Sequence, residues 1–346
     1  MNEQQFLDLL DNRLQKLQQQ ERADIRRDFE EYFENGRAEG KTTEEIITAL
    51  GNIEELAEEL LASYDEADFA ETVSIVKNDD VVPYSKVKVD VDGVNLSIVS
   101  TDATYAMIET KDADNLTEAT MVIENDTLVV KAKRQERIRR LWFITIIGSV
   151  GKADVVIHLP KKQYEQITID NDNGSIKVSD TLAKKFNLKS DNGRISTDGI
   201  QGEKLDAYSD NGRIVLTNSN VLLVNAESSN GRVVAENCKA NQLKLESDNG
   251  KIQIKHVDGM VDARSCNGRI EAQMNTVNHP LNLVTDNGGI LLSSVSKLDN
   301  VEIEGKTSWG SVTIYNDKTS SYAHGTKANH IKLKTSNGNI AVEELA

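Results

Sequence analysis

Between residues 171 and 338 short runs alternate apolar and polar positions, and nine times they break at one corner. The corner is usually Ser or Thr, any residue, Asn, Gly, and it is followed by further alternating apolar positions. Asn171 opens the first corner and Trp309 stands for Asn in the eighth. The corner glycines are Gly174, Gly193, Gly212, Gly231, Gly250, Gly268, Gly288, Gly310 and Gly338, with spacings of 19, 19, 19, 19, 18, 20, 22 and 28 residues. A fixed period of this size marks a stacked-repeat architecture, in which no single unit buries its own apolar face.

One unit runs LDAYSDNGRIVL from Leu205 to Leu216. Leu205, Ala207 and Ser209 face one way, the corner turns the chain, and Ile214 and Leu216 face in again. An isolated Asn-Gly between alternating strands signals a hairpin. The constant advance favours a β-solenoid, parallel β-helix-like, of about 19 residues per coil. Its structural corners, among them Asn192-Gly193, Asn211-Gly212, Asn230-Gly231 and Asn249-Gly250, then align in a column. Nine turns at about 4.8 Å each predict a rod of roughly 40 Å, with right-handed crossovers. Asn and Gly are expected to supply the positive φ of the corner, and the Ser or Thr hydroxyl to satisfy nearby backbone groups.

Upstream the period changes to that of a helix. Residues 1–66 predict four short helices. Phe6, Leu9, Leu10, Leu14 and Leu17 share a face of the first, and Ile25, Phe29 and Phe33 mark the second. Thr42 and Glu45 form a capping box, and Asn52 and Glu55 a similar one. From about residue 72 the period is two, in VSIV, VKVDV, LSIV, MIET and TLVVKA. The fold class is therefore α plus all-β: a helical domain over 1–66, a linker over 67–84 and a solenoid over 85–346.

Charge separates the two parts. The net charge is −16, and residues 1–71 hold 20 acids against 7 bases, so the repeats are near neutral. Nucleic-acid binding by the whole chain is disfavoured on that ground. Cys238 and Cys266 are read as unpaired thiols of a reducing compartment, with neither a disulfide framework nor a metal motif. The N-terminus lacks the basic and apolar stretches of a signal peptide, and no run reaches the ~18 apolar residues of a membrane span. These features predict a cytoplasmic chain, peripheral to the membrane at most, with no cofactor.

Two clusters carry candidate chemistry. Residues 131–140 hold Lys131, Lys133, Arg134, Arg137, Arg139 and Arg140 against the single acid Glu136, directly before LWFITIIGSV with Trp142 and Phe143. One account buries 141–147 as a strand and leaves the bases in a solvated loop. The other makes the segment an interfacial anchor, with aromatics in the headgroups and bases on anionic lipid. The second cluster is a column, Arg194, Arg213, Arg232, Lys251 and Arg269, following the corner glycine in five consecutive units. It balances an acidic column of Asp172, Asp191, Asp210, Asp248 and Asp286, or serves as a comb for a polyanion such as a cell-wall polymer. His158, His256, His279, His324 and His330 are scattered, so a polysaccharide-active β-helix enzyme is the least favoured reading.

The runs F-L-x-L-L, E-R-x-D-I-x-x-D-F-E-E-Y-F, G-K-T-T-E-E-I-I-x-x-L-G-N and E-E-L-A-E-E-L-L resemble the HAAS-type helical signalling domain of Gram-positive bacteria. That resemblance implies a protein partner for the head and an alternative role as an intracellular scaffold with a PadR-type regulator. VKVDVDGVNLSIV, LVVKAK and VVIHLP, followed by S-D-N-G-R-I units, resemble the putative-adhesin family of bacterial β-strand repeat proteins. It implies a non-catalytic interaction protein tied to envelope binding or stress sensing, with no catalytic residues. The C-terminal coil, ending IAVEELA, shows no capping helix, and its end is expected to be free for pairing with a second copy.

Overall fold

The computed structural model describes residues 1–17, 19–63, 73–77, 83–111, 117–134, 137–141, 144–148 and 153–345. The chain divides into two compact units. The first contains α1 (Glu3–Arg13), α2 (Gln19–Ala38), α3 (Thr43–Leu50) and α4 (Ile53–Ser63). Their core is Phe6, Leu7, Leu10, Leu14, Leu17, Ile25, Phe33, Ile46 and Ala57, with Phe29 part-buried against it. Phe6 and Phe33 meet edge to face at 5.7 Å. Leu7 takes the core place expected of Leu9, which is only half-buried, so the apolar stripe lies one position round the helix.

Caps explain where the helices begin. Thr42 and Glu45 form the expected reciprocal box, and Asn2 with Gln5 forms another at α1. Asn52 instead accepts from the Glu54 N–H at 2.8 Å, a shorter loop than a box through Glu55. Each such cap satisfies an N–H that has no partner within its own helix.

The second unit is a β-solenoid. Each regular coil has a long strand, the Asn-Gly corner, a four-residue strand and a second corner. Long strands stack in parallel and in register, so that Ile167 lies beside Phe186, Phe186 beside Leu205 and Leu205 beside Val224. The short strands do the same through Ile176, Ile195, Ile214, Val233 and Ile252. Alternation sends these residues inward, where all are buried. A parallel sheet needs long crossovers, and here each crossover is the other strand of the same coil.

The last two corners stack in reverse order. Strand Asn329–Thr335 lies between Leu281–Thr285 and Val301–Thr307, and Ile340–Glu344 lies between Ile290–Ser294 and Val312–Ile314. The chain runs outward through 301–324 and then returns to fill the gap, for which the 28-residue spacing leaves room. The expected free C-terminal edge is therefore absent: Ile340–Glu344 is an interior strand. The outermost long-sheet strand at that end is Ser321–His324, antiparallel to Val301–Thr307. At four residues this strand leaves only a short edge, which blunts pairing with another chain. At the other end Lys86–Asp92 likewise lies between Gln163–Asn171 and Thr127–Arg134.

Candidate functional site

The repeated corner is the most ordered chemical feature of the surface. Its glycines do not have positive φ. Glycine is required because a Cβ at Gly212 would sit 1.7 Å from the Gly193 carbonyl oxygen, and one at Gly231 1.8 Å from that of Gly212. Stacked corners approach so closely that only hydrogen fits. The left-handed residues lie at the second corner instead, in a column of Asp180, Gly199, Asn218, Asn237 and His256. Residue type varies down that column, which is why it leaves no motif in the sequence.

The Ser column does what its hydroxyl predicts. Ser209 Oγ donates to the Gly193 carbonyl at 3.1 Å and accepts from the Gly212 N–H at 2.9 Å. Ser190, Ser228, Ser247 and Ser265 repeat that pair of bonds, and all are buried. Outside them runs an asparagine ladder. Asn192, Asn211, Asn230, Asn249, Asn267, Asn287 and Asn337 each donate from Nδ2 to the previous Asn Oδ1 at 2.7–3.0 Å. Asn173 begins the ladder by donating to Asp92 Oδ1 at 3.0 Å.

The charged columns on either side of the ladder do not pair with each other among the described residues. Asp191 is held by Lys189 at 3.2 Å, and Asp210 accepts from the Tyr208 hydroxyl. Burial, then the charges of Asp92, Asp191 and Asp170, raise the Asp172 pKa. In the basic column, Lys251 and Arg269 both reach Glu271, at 2.6 and 3.4 Å. Burial opposes ionisation of Glu271, but its bonds to Lys251 and Gln253 and the nearby charges lower its pKa overall. Arg232 donates to Gln253 at 3.3 Å. Arg194 and Arg213 are exposed, and among the described residues neither forms an ion pair.

The Toastrack DUF4097 family model matches residues 84–343, most of the chain, and the HAAS model matches residues 5–59. The chain belongs to the Toastrack DUF4097 family. Both sequence resemblances hold. No curated protein matches the chain significantly. Among solved structures it is similar to a putative adhesin from Bacteroides fragilis, with 14% identity over 79% of this chain and 98% of that one, at a TM-score of 0.41. It is also similar to a putative lipid binding protein from Parabacteroides distasonis (11% identity, 78% and 96%, 0.45). A putative adhesin from Parabacteroides merdae gives 13% identity, 80% and 96%, and 0.42.

In this Toastrack chain the basic segment forms strands rather than a loop. Lys131 and Lys133 are exposed on strand Thr127–Arg134. Arg137–Leu141 pairs antiparallel with Ile144–Gly148, with Leu141 opposite Ile144 and Arg137 opposite Gly148. The bases Arg137, Arg139 and Arg140 thus lie on a strand, and a single strand over 141–147 is replaced by a hairpin. Trp142 and Phe143 lie outside the described residues.

Four histidines each sit beside a carboxylate, two of them, His324 and His330, on the strands that flank Val301–Thr307. His158 meets Glu109 at 3.3 Å, His279 meets Asp258 at 3.4 Å, His324 meets Asp299 at 2.8 Å and His330 meets Glu302 at 3.2 Å. A cleft of about 280 Å³ opens where the long strand shortens from Asp258–Ser265 to Leu281–Thr285, and His256, Asp258, Asn275 and His279 line it. Among the described residues no group of three or more His, Cys, Asp or Glu side chains is placed to hold a metal ion.

Proposed function

We propose that the chain is a non-catalytic binding protein of the bacterial cell envelope. Its solenoid presents columns of like side chains to an extended anionic ligand, and its acidic helical domain engages a protein partner. The observation that carries this reading is the exposed, unpaired pair Arg194 and Arg213, set in register on adjacent coils. Two arginines whose backbones lie about 4.8 Å apart suit a chain of phosphates, which their guanidiniums can bind bidentately. The same geometry suits catalysis poorly, since a catalytic centre needs unlike groups converging on one point.

A second contact is favoured by the register of Arg137–Leu141 on Ile144–Gly148, which gathers three arginines and an apolar strand into one hairpin. Such a segment suits an anionic membrane surface.

The test is retention on purified poly(glycerol phosphate) and co-sedimentation with phosphatidylglycerol vesicles. Arg194→Glu with Arg213→Glu is expected to abolish polymer retention. Arg139→Glu with Trp142→Ser is expected to abolish vesicle binding. Unchanged behaviour of both variants contradicts the reading.

A further inference from the structure

The outer face of the long-strand sheet holds a groove of about 340 Å³ that crosses four coils, from strand Gln163–Asn171 to strand Asn220–Ser228. Its valley is the outward row Thr168, Asn187, Asp206 and Asn225, over a floor at Ile169, Leu188 and Ala207. The valley exists because this row is short-chained. On one side stand Gln166, Lys185, Lys204 and Leu223, and on the other Asp170, Lys189, Tyr208 and Glu227.

What distinguishes this stretch is that the two amides of its valley row, Asn187 and Asn225, are unused, while Gln166 on the wall donates to Thr168 Oγ1 at 2.9 Å. One coil further on, Lys244 in the same row is tied to Glu246 at 2.6 Å. Beyond it, Asp262 is tied to Arg264 at 3.1 Å and to Asn282 at 2.9 Å. Within the groove the side chains of Asn187 and Asn225 form no hydrogen bond among the described residues. Asn225 Oδ1 is buried without a partner, so its acceptor capacity is unmet within the described residues. Tyr208 donates its hydroxyl to Asp210, which holds the half-buried ring against the valley. Lys204 is engaged by Asp206 at 2.7 Å and Lys189 by Asp191 at 3.2 Å, while the exposed Lys185 and Glu227 stand on opposite sides of the valley.

We propose that this groove binds a neutral oligosaccharide. Asn187 and Asn225, two coils or roughly 10 Å apart, hydrogen-bond hydroxyls of successive sugars, and the Tyr208 ring takes the C–H face of the sugar between them. Asp170, Asp206 and Glu227 balance Lys185, Lys189 and Lys204, and a groove without net charge favours a neutral polymer over an acidic one. The site rests on the reading of the solenoid as a binding surface but lies on a different face from Arg194 and Arg213.

The test is calorimetric titration of the full chain with cello-, malto-, manno- and N-acetylchito-hexaose, with hexagalacturonate as the acidic comparison. At least one neutral hexasaccharide is expected to bind. Tyr208→Ala with Asn225→Ala should weaken it roughly tenfold or more, and Tyr208→Phe should hold within about twofold, as expected of a ring-face contact. Asn187→Leu, which fills the valley without removing a buried bond, should also abolish binding. The proposal is overturned by absence of binding to every neutral hexasaccharide at millimolar concentration, or by equal binding of hexagalacturonate. It is also overturned if the groove variants bind undiminished, or if the groove proves to be a self-association surface whose dimer is lost in Tyr208→Ala. Failure here alongside intact poly(glycerol phosphate) retention removes the groove and leaves the basic column standing.

Discussion

Asn337 donates from its side-chain amide to Asn287 Oδ1 at 2.7 Å, across 50 residues of chain. The bond passes over the corner of Gly310 altogether, since the coil bearing Trp309 lies outside the one bearing Asn337. Both ends of the ladder are thereby closed. Asp92 accepts from Asn173 but has no amide to donate onward, and Trp309, 79% exposed, occupies the outer coil where a further Asn would extend the column. An unterminated amide ladder on a parallel sheet is a template for growth.

The corner glycines are expected to tolerate no side chain. Gly212→Ala places a Cβ 1.7 Å from a backbone carbonyl oxygen that cannot move without shifting the coil. We expect a loss of about 3 kcal/mol in a urea melt. Gly199→Asn, at φ +68° and requiring only that the Asp180 carboxylate oxygen 2.5 Å away swing aside, should cost less, about 1 kcal/mol.

Ser228 bridges two coils from a buried position, donating to the Gly212 carbonyl and accepting from the Gly231 N–H, both at 2.9 Å. Ser228→Ala leaves that N–H unpaired and should cost about 1–3 kcal/mol. Ser228→Thr should be nearly neutral, because Thr285 and Thr335 make the same bond to the stacked glycine carbonyl elsewhere in the column. Thermal unfolding of the two variants distinguishes them.

Two carboxyls should respond to pH in opposite directions. Asp172, raised by burial and by the charges of Asp92, Asp191 and Asp170, holds its proton more tightly when folded. Its contribution is complete below the unfolded carboxylate pKa and is lost as pH rises through the raised folded value. Asp172→Asn should therefore stabilise the chain at pH 7 and make no difference at pH 2. Glu271 is lowered overall, so its contribution is present above the unfolded pKa and is lost as pH falls through the folded one. Glu271→Gln should destabilise at pH 7 and be silent at pH 2. Melting temperatures across this range give the signs.

The returning C-terminal coil is paired on both sides, so its loss should be felt on both. Deletion of residues 329–346 removes the partners of Val301–Thr307 and of Ile290–Ser294. Hydrogen exchange is expected to show lost protection throughout 301–324 and at 290–294, with coils before residue 260 unaffected, since repeats couple only to neighbours.

The period, the parallel stacking and the hydroxyl bridge were legible because each recurs as residue identity. The reason for the glycines was not. Asn-Gly in isolation suggests backbone torsion, whereas the constraint at Gly212 is the distance to another coil, which no local pattern encodes. The left-handed column hid for the opposite reason, since Asp180, Gly199, Asn218, Asn237 and His256 meet one torsional demand with four residue types. The spacings of 22 and 28 residues marked irregular coils without disclosing that their order reverses. The groove at Tyr208 depends on side-chain sizes on four coils at once. It becomes visible only when the register is known.

Stacking order at the C-terminal end is the most direct test, because the asparagine ladder and the reversed coils presuppose it. Cysteine pairs introduced at 284 and 334, and at 284 and 306, in a chain with Cys238 and Cys266 replaced by alanine, read it under mild oxidation. Val284 and Lys334 are strand partners, and Lys306 lies one coil beyond Lys334. A disulfide requires Cα atoms within about 7 Å, which adjacent coils meet and coils two apart do not. The 284–334 pair should close and the 284–306 pair should stay reduced. Closure of 284–306 in place of 284–334 would mean that the coils follow sequence order, and the ladder through Asn287 and Asn337 would fall with it.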